Sequence, residues 1–206
     1  KYVDEVLCIF PFEIEMYQKE GINVHYCGHP LIKQLPEKAD REQFFAKHGL
    51  DTTRPLVSIF PGSRTIELRF LANTFIKSAK QLQKKHPEIQ FCISHAPNLS
   101  DDIFDKYING TDFKVIKGEN QALLSISDSL ILASGTVALE AALYQIPMII
   151  GYKGPWILYL AYLMVRCIKK VSLPNIITGE DIVPELIQAK FNTCLLYTSP
   201  SPRDRG

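Results

Sequence analysis

The sequence predicts an α/β protein built on a doubly wound parallel sheet. Three observations carry that expectation. Short apolar runs recur along the chain, among them Leu56-Val57-Ser58-Ile59-Phe60 and Leu130-Ile131-Leu132-Ala133. Helical segments follow them, so strand and helix alternate as they do when helices cover both faces of parallel strands. Two of the strands also end in small-residue turns that open directly on a helix, Pro61-Gly62-Ser63-Arg64 and Ser134-Gly135-Thr136. No internal repeat at solenoid periods competes with this reading.

Taken in order, Val6 to Phe10 reads as a strand, Phe12 to Lys19 as a short helix stopped by Gly21, and Asn23 to Tyr26 as a second strand. Gly28-His29-Pro30-Leu31 then turns the chain, because Pro30 biases His29 away from helix. Lys33 to Arg41, charged and interrupted by Pro36, reads as a connector between two domains, and Arg41 to His48 as a helix closed by Gly49. After the strand at Leu56–Phe60 comes a long helix reaching about Lys85. Its apolar residues Leu68, Leu71, Phe75, Ala79 and Leu82 share one face, with Arg69, Asn73, Lys77, Lys80 and Lys84 opposite. Strands follow at Gln90–Ser94, Phe113–Ile116, Leu130–Ala133 and Pro147–Ile150, and helices at Asp101–Tyr107, Asn120–Ile126 and Val137–Leu143.

From Pro155 to Ile168 the chain is almost wholly apolar or aromatic. As a helix this stretch reaches only about 21 Å, against a hydrocarbon core of roughly 30 Å, and cannot span a membrane. A buried or subunit-facing helix is the favoured reading and a membrane-surface anchor the alternative. Ser172-Leu173-Pro174-Asn175 reads as a turn, and Pro184 as the first position of a last helix with Glu185 early in it. Residues 194–206, rich in Pro and Ser, read as a foreign, adapter-like tail rather than a native linker.

Composition narrows the functional classes. With 206 residues the chain holds one good core, or one domain plus part of another. A net charge of +1 gives no field that would draw nucleic acid, and no nucleic-acid partner is expected. Cys8, Cys27, Cys92, Cys167 and Cys194 are scattered without a C-x-x-C pair, and the five histidines show no metal-ligand spacing. That argues against a zinc site and a disulfide framework and fits a reducing cytoplasm, with no metal or other cofactor expected. Neither a signal peptide nor a spanning segment is read in the chain. The G-x-x-x-x-G-K-[ST] phosphate loop is absent, which counts against an ATPase or GTPase.

The candidate chemistry lies at the two strand-to-helix turns. At Ser134-Gly135-Thr136 a strand turning sharply into a helix leaves backbone N–H groups without partners, aimed at one point with the positive helix end behind them, where phosphate binds readily. Glu140 stands one helical turn after Thr136, so a phosphate at the turn and a sugar hydroxyl at Glu140 form a natural nucleotide-diphosphate pose. The alternative is that Ser134 only caps the helix and Glu140 is solvated, and these residues alone do not separate the two. Arg64 ends the other turn, and parallel strands bring both turns to one edge of the sheet, where a guanidinium suits a departing diphosphate. Its alternative is structural pairing with Glu67 or Glu140. Asn175 either reaches a nucleotide hydroxyl or fixes its turn, Glu185 and Gln188 read as solvated, and His29 reads as a turn residue rather than a base.

Several segments in this order and spacing resemble the lipid-A-disaccharide synthases. They are Phe10-Pro11-Phe12-Glu13, Gly28-His29-Pro30-Leu31, Phe60-Pro61-Gly62-Ser63-Arg64 with Glu67, and Ala133-Ser134-Gly135-Thr136 with Leu139-Glu140-Ala141-Ala142-Leu143. Pro147-Met148, Gly151-Tyr152-Lys153, Val171-Ser172-Leu173-Pro174-Asn175-Ile176 and Val183-Pro184-Glu185-Leu186-Ile187-Gln188 complete the match, which covers residues 1 to about 190. The resemblance implies one Rossmann-like half of a two-domain GT-B glycosyltransferase. Residues 1–35 would end the N-terminal acceptor-side domain, and residues 36–193 would form the C-terminal UDP-binding domain.

The family moves 2,3-diacylglucosamine from UDP to 2,3-diacylglucosamine 1-phosphate, forming the β-1,6 lipid A disaccharide and releasing UDP without a metal. On this resemblance Arg64 is the catalytic candidate. Ser63, Arg64, Ser134, Gly135, Thr136, Glu140 and Asn175 would bind UDP. The acylated substrates imply work at the cytoplasmic face of the inner membrane, and the intact protein is a candidate homodimer. The family's proposed base, an Asp, falls upstream of Lys1, so the chain is expected to bind UDP at best weakly and to turn nothing over by itself. Competing readings are another GT-B enzyme using UDP-N-acetylglucosamine, a transferase or 2-epimerase, and a non-catalytic nucleotide-binding module.

Overall fold

The computed structural model describes residues 3–154 and 170–193; the apolar Pro155–Ile168 stretch and the 194–206 tail lie outside the described residues. Near the N-terminus, β1 (Glu5–Cys8), α1 (Pro11–Lys19) and β2 (Asn23–Tyr26) form a βαβ unit whose strands pair in parallel as a two-stranded sheet. The short helix α2 (Leu31–Gln34) follows, within the stretch expected to be turn and connector. His29 closes the turn before it: Nδ1 accepts the Leu31 N–H at 3.2 Å, and the ring lies 5.1 Å from that of Phe10.

The helix α3 (Arg41–His48) stands where its caps put it. The Asp40 carboxylate accepts the Gln43 N–H at 3.0 Å, and Gly49 ends the helix at φ +63°, a left-handed conformation that needs no Cβ.

A six-stranded sheet follows, made of β3 (Leu56–Phe60), β4 (Gln90–His95), β5 (Lys114–Lys117), β6 (Ser129–Ala133), β7 (Met148–Tyr152) and β8 (Glu185–Ile187). Its connecting helices are α4 (Thr65–Lys85), α5 (Asp101–Ile108), α6 (Asn120–Ile126), α7 (Val137–Leu143) and α8 (Leu173–Thr178). The strand order is β5-β4-β3-β6-β7-β8 and every pairing is parallel. The chain thus winds outward from β3 to β5, returns to lay β6 on the other side of β3, and continues outward to β8. This is the Rossmann strand order, and the expected doubly wound fold is the one observed. Its direction reverses between β3 and β6, and a crevice opens at the carboxyl ends of those two strands.

Burial explains why the strands read as unbroken apolar runs. All five residues of β3 are buried, as a strand covered by helices on both faces must be. On one face α4 packs Leu68, Leu71, Phe75 and Ala79 against Ile59, Phe91 and Ile131. On the other, Phe44 and Phe45 of α3 join Leu123 and Leu124 of α6 and Ala138 and Ala141 of α7. Cys92, in the middle of β4, belongs to that second core; burial pushes its thiol up to about 12, so it serves as a small inert apolar group.

Two expectations near the C-terminus are corrected. Ser172–Asn175 is the start of a helix rather than a turn, with Pro174 in its first turn, where a missing N–H costs nothing. Pro184 opens a strand, not a helix: Glu185, Leu186 and Ile187 pair with Ile150, Gly151 and Tyr152 of β7. Pro184 fits there because a first strand residue contributes its carbonyl, which accepts the Ile150 N–H at 3.0 Å, and needs no donor. Pairing with an existing sheet edge overrides the weak helical preference of so short a run.

Candidate functional site

The reversal point holds a cavity of about 560 Å³. The first strand-to-helix turn supplies Gly62, Ser63, Arg64 and, from α4, Glu67; the second supplies Ser134, Gly135, Thr136 and, from α7, Glu140. Ser94 and Ala96 come from the end of β4, and Asn120, Gln121 and Leu124 from α6. Ser63, Arg64, Ser134, Gly135, Thr136 and Glu140 are therefore brought together around one space, as two turns at one sheet edge predict.

The two turns are chemically unequal. At the first, the protein supplies its own anion: Glu67 Oε2 accepts the N–H of Ser63 at 2.8 Å and that of Arg64 at 3.3 Å. Gly62 makes this possible, since at φ +107° it has the left-handed backbone, and a Cβ would overlap the Glu67 carboxylate. Arg64 Nη1 also donates to Glu67 Oε1 at 3.0 Å, the pairing foreseen as an alternative, while three-quarters of its side chain stays exposed. One carboxylate contact leaves most of the five guanidinium donors available at the cavity rim.

At the second turn no carboxylate of the described residues takes that place. Among the described residues the N–H groups of Gly135, Thr136 and Val137 have no hydrogen-bond partner. The turn is fixed from behind, where Ser134 Oγ donates to the Val171 carbonyl at 3.0 Å and Ser134 N–H to the Gly151 carbonyl at 3.3 Å. Free donors on a held loop that lines a cavity, with a guanidinium at the same rim, are chemically suited to an anion.

Glu140 stands half-buried on the cavity wall, and burial raises its carboxyl above the ordinary carboxylate range. Its carboxylate makes no hydrogen bond among the described residues, leaving it open to hydroxyl donors. A raised folded-state value means the folded chain holds this proton more tightly than the unfolded one. The associated stability is therefore full below the unfolded carboxyl value and lost as pH rises through the folded one. Glu140→Gln is accordingly expected to stabilise the chain at pH 7, where the wild-type carboxyl is ionised against its burial. Thermal melts at pH 7 and below about pH 4, where the difference should vanish, test this. Equal midpoints at both pH values would remove burial as the cause.

Asn175 is placed elsewhere. It is 1% exposed and is not among the cavity-lining residues. Its amide is spent on the protein: Nδ2 donates to the Val183 carbonyl at 2.9 Å and to Glu185 Oε1 at 2.8 Å, and Oδ1 accepts the Val183 N–H at 3.0 Å. Glu185, expected to be solvated, instead also accepts the N–H groups of Val171 and Ser172 at 2.9 Å each, and the Ser172 hydroxyl. Gln188, likewise expected to be solvated, is 5% exposed, and its Nε2 donates to the Gly154 carbonyl at 3.3 Å. Glu185 thus holds the Val171–Ser172 segment whose carbonyl anchors Ser134, so it acts on the second turn through another group. Asn120, Gln121 and Ser94 also line the cavity and carry no motif in the sequence, although Asn120 opens a helix soon after a strand, as the helices of the two turns do.

A model of the lipid-A-disaccharide synthetase family matches residues 1–199. The chain belongs to that family. It is 35% identical over 190 residues to the lipid-A-disaccharide synthase of Geobacter sulfurreducens, covering 91% of this chain and 50% of that protein. With the synthase of Hydrogenovibrio crunogenus it shares 37% over 195 residues, covering 91% of this chain and 51% of the relative. The chain therefore spans about half the length of the curated relatives it matches. Among solved structures, the UDP-GlcNAc 2-epimerase of Neisseria meningitidis, bound to UDP-GlcNAc, superposes with a TM-score of 0.62 at 14% identity, covering 95% of this chain and 52% of that one. At that identity the likeness is one of fold, and it agrees with the Rossmann-like half expected for a GT-B architecture.

Proposed function

We propose that this chain supplies the UDP-binding half of a glycosyltransferase that moves 2,3-diacylglucosamine from UDP to 2,3-diacylglucosamine 1-phosphate. The observation that supports it most is the convergence, on one cavity, of three unpaired N–H groups, a rim guanidinium and a half-buried carboxylate. On this reading the Ser134–Thr136 turn binds the diphosphate and Glu140 takes the ribose hydroxyls. Arg64 swings from Glu67 onto the phosphates, with Ser63 beside it, and Asn175 supports the site through Glu185. As the acceptor hydroxyl oxygen bonds to the anomeric carbon, the bond from that carbon to the UDP oxygen breaks and negative charge gathers on the diphosphate. Fixed donors already aimed at that point lower the barrier. The hydroxyl proton passes to a base, which the family resemblance assigns to an Asp beyond this chain.

Both acylated sugars imply work at a membrane surface, the inner membrane's cytoplasmic face on the family reading, and the intact protein is proposed as a homodimer. No helix among the described residues is long and apolar enough to cross a membrane.

Calorimetric titration of the 206-residue chain with UDP and with ADP tests the donor site. UDP is expected to bind in preference to ADP, weakly, and Arg64→Ala to weaken it roughly tenfold, as the loss of a charge-assisted contact should. A folded chain that binds neither nucleotide, or both alike, would overturn the reading.

A further inference from the structure

Resting on that reading, we infer that Asn120 selects the base of the bound nucleotide, accepting the imide N–H of uracil on its side-chain carbonyl. Asn120 is the first residue of α6 and lines the cavity shared by the second turn and Glu140. Its Nδ2 donates to the backbone carbonyl of His95, at the end of β4, at 3.3 Å. That contact fixes which end of the amide is which, because a carbonyl can only accept and the opposite flip would set two acceptors together. Oδ1 is thereby turned away from His95, and among the described residues it is buried without a hydrogen-bond partner. A buried acceptor left unpaired is costly, and one on the wall of a ligand cavity calls for a donor from the ligand.

The position in the cavity says which part of the ligand that is. Diphosphate at residues 135–137 and ribose at Glu140 occupy the α7 side. The remaining wall, from α6, offers Asn120, Gln121 and the apolar Leu124, and Val137 faces the same space. On this reading a flat ring lies against Leu124 and Val137 with its polar edge toward Asn120. Uracil presents one ring N–H at that edge, between two carbonyl acceptors. Cytosine, of the same size, presents a bare ring nitrogen there, so two acceptors would face each other.

The test is binding of UDP and CDP to the 206-residue chain, unmodified and as Asn120→Ala and Asn120→Gln. UDP is expected to bind roughly tenfold more tightly than CDP. Both substitutions should bring that ratio close to one by weakening UDP, while CDP affinity holds and shows that the variants are folded. Equal affinities in the unmodified chain, or a ratio that survives both substitutions, would overturn the assignment and leave the diphosphate site standing. Failure of the folded chain to bind either nucleotide would overturn both.

Discussion

Glu185→Ala is expected to lower the unfolding free energy by about 3–5 kcal/mol, a loss of roughly 6–20 °C in melting temperature for a chain of this length. The carboxylate accepts from Val171 N–H, Ser172 N–H, Ser172 Oγ and Asn175 Nδ2. Ser172 is fully buried and Asn175 nearly so, so truncation strands donors that water reaches poorly. Glu185→Gln should cost less: its amide carbonyl still accepts, but its NH2 then faces donors. The damage reaches the cavity as well, because Val171 supplies the carbonyl that holds Ser134. UDP affinity is thus expected to fall even in buffer where the variant remains folded. Urea unfolding followed by calorimetry separates the two effects. An unchanged urea midpoint in Glu185→Ala would refute the account.

Much of this architecture is local chemistry and could be read from the chain. The run Leu56–Phe60 is a strand because helices cover it on both faces, and the apolar stripe of α4 faces the core because its spacing leaves no other side to bury. The caps Asp40 and Gly49 bound α3 without help from afar. The two turns were legible for the same reason, and topology brought them together as parallel strands require. What escaped depends on partners distant in sequence. Three residues, Glu185–Ile187, become a strand only because β7 offers an open edge. Nothing near Glu185 announces that its carboxylate meets the backbone of Val171 and Ser172. Likewise the carbonyl of His95, which orients the Asn120 amide, lies on β4, 25 residues away in the chain. Glu67 falls between these cases: its spacing from Arg64 announced the pairing, but not its occupation of the Ser63 N–H.

Gly151→Ala is expected to destabilise the chain by about 2–3 kcal/mol through overpacking. Gly151 is buried in β7, paired with Ala133 on one side and Leu186 on the other, so its backbone cannot retreat without parting strands. A Cβ there would overlap the Phe191 ring and come within 2.7 Å of Phe75 Cε1. Those rings pack edge to face at 5.1 Å and 87° and both are buried, and Phe191, whose ring the added Cβ would meet most closely, is the group that must yield. Phe191→Leu opens space at the same spot. A double-mutant cycle should therefore find Gly151→Ala/Phe191→Leu more stable than the sum of the single changes by about 1 kcal/mol or more. Strict additivity in that cycle would mean that the clash is not what keeps glycine at this position. The stake extends past the core, because the Gly151 carbonyl accepts the Ser134 N–H. A strand displaced by an added methyl moves the second turn with it, and UDP affinity is expected to fall with stability in Gly151→Ala and to recover with it in the double variant.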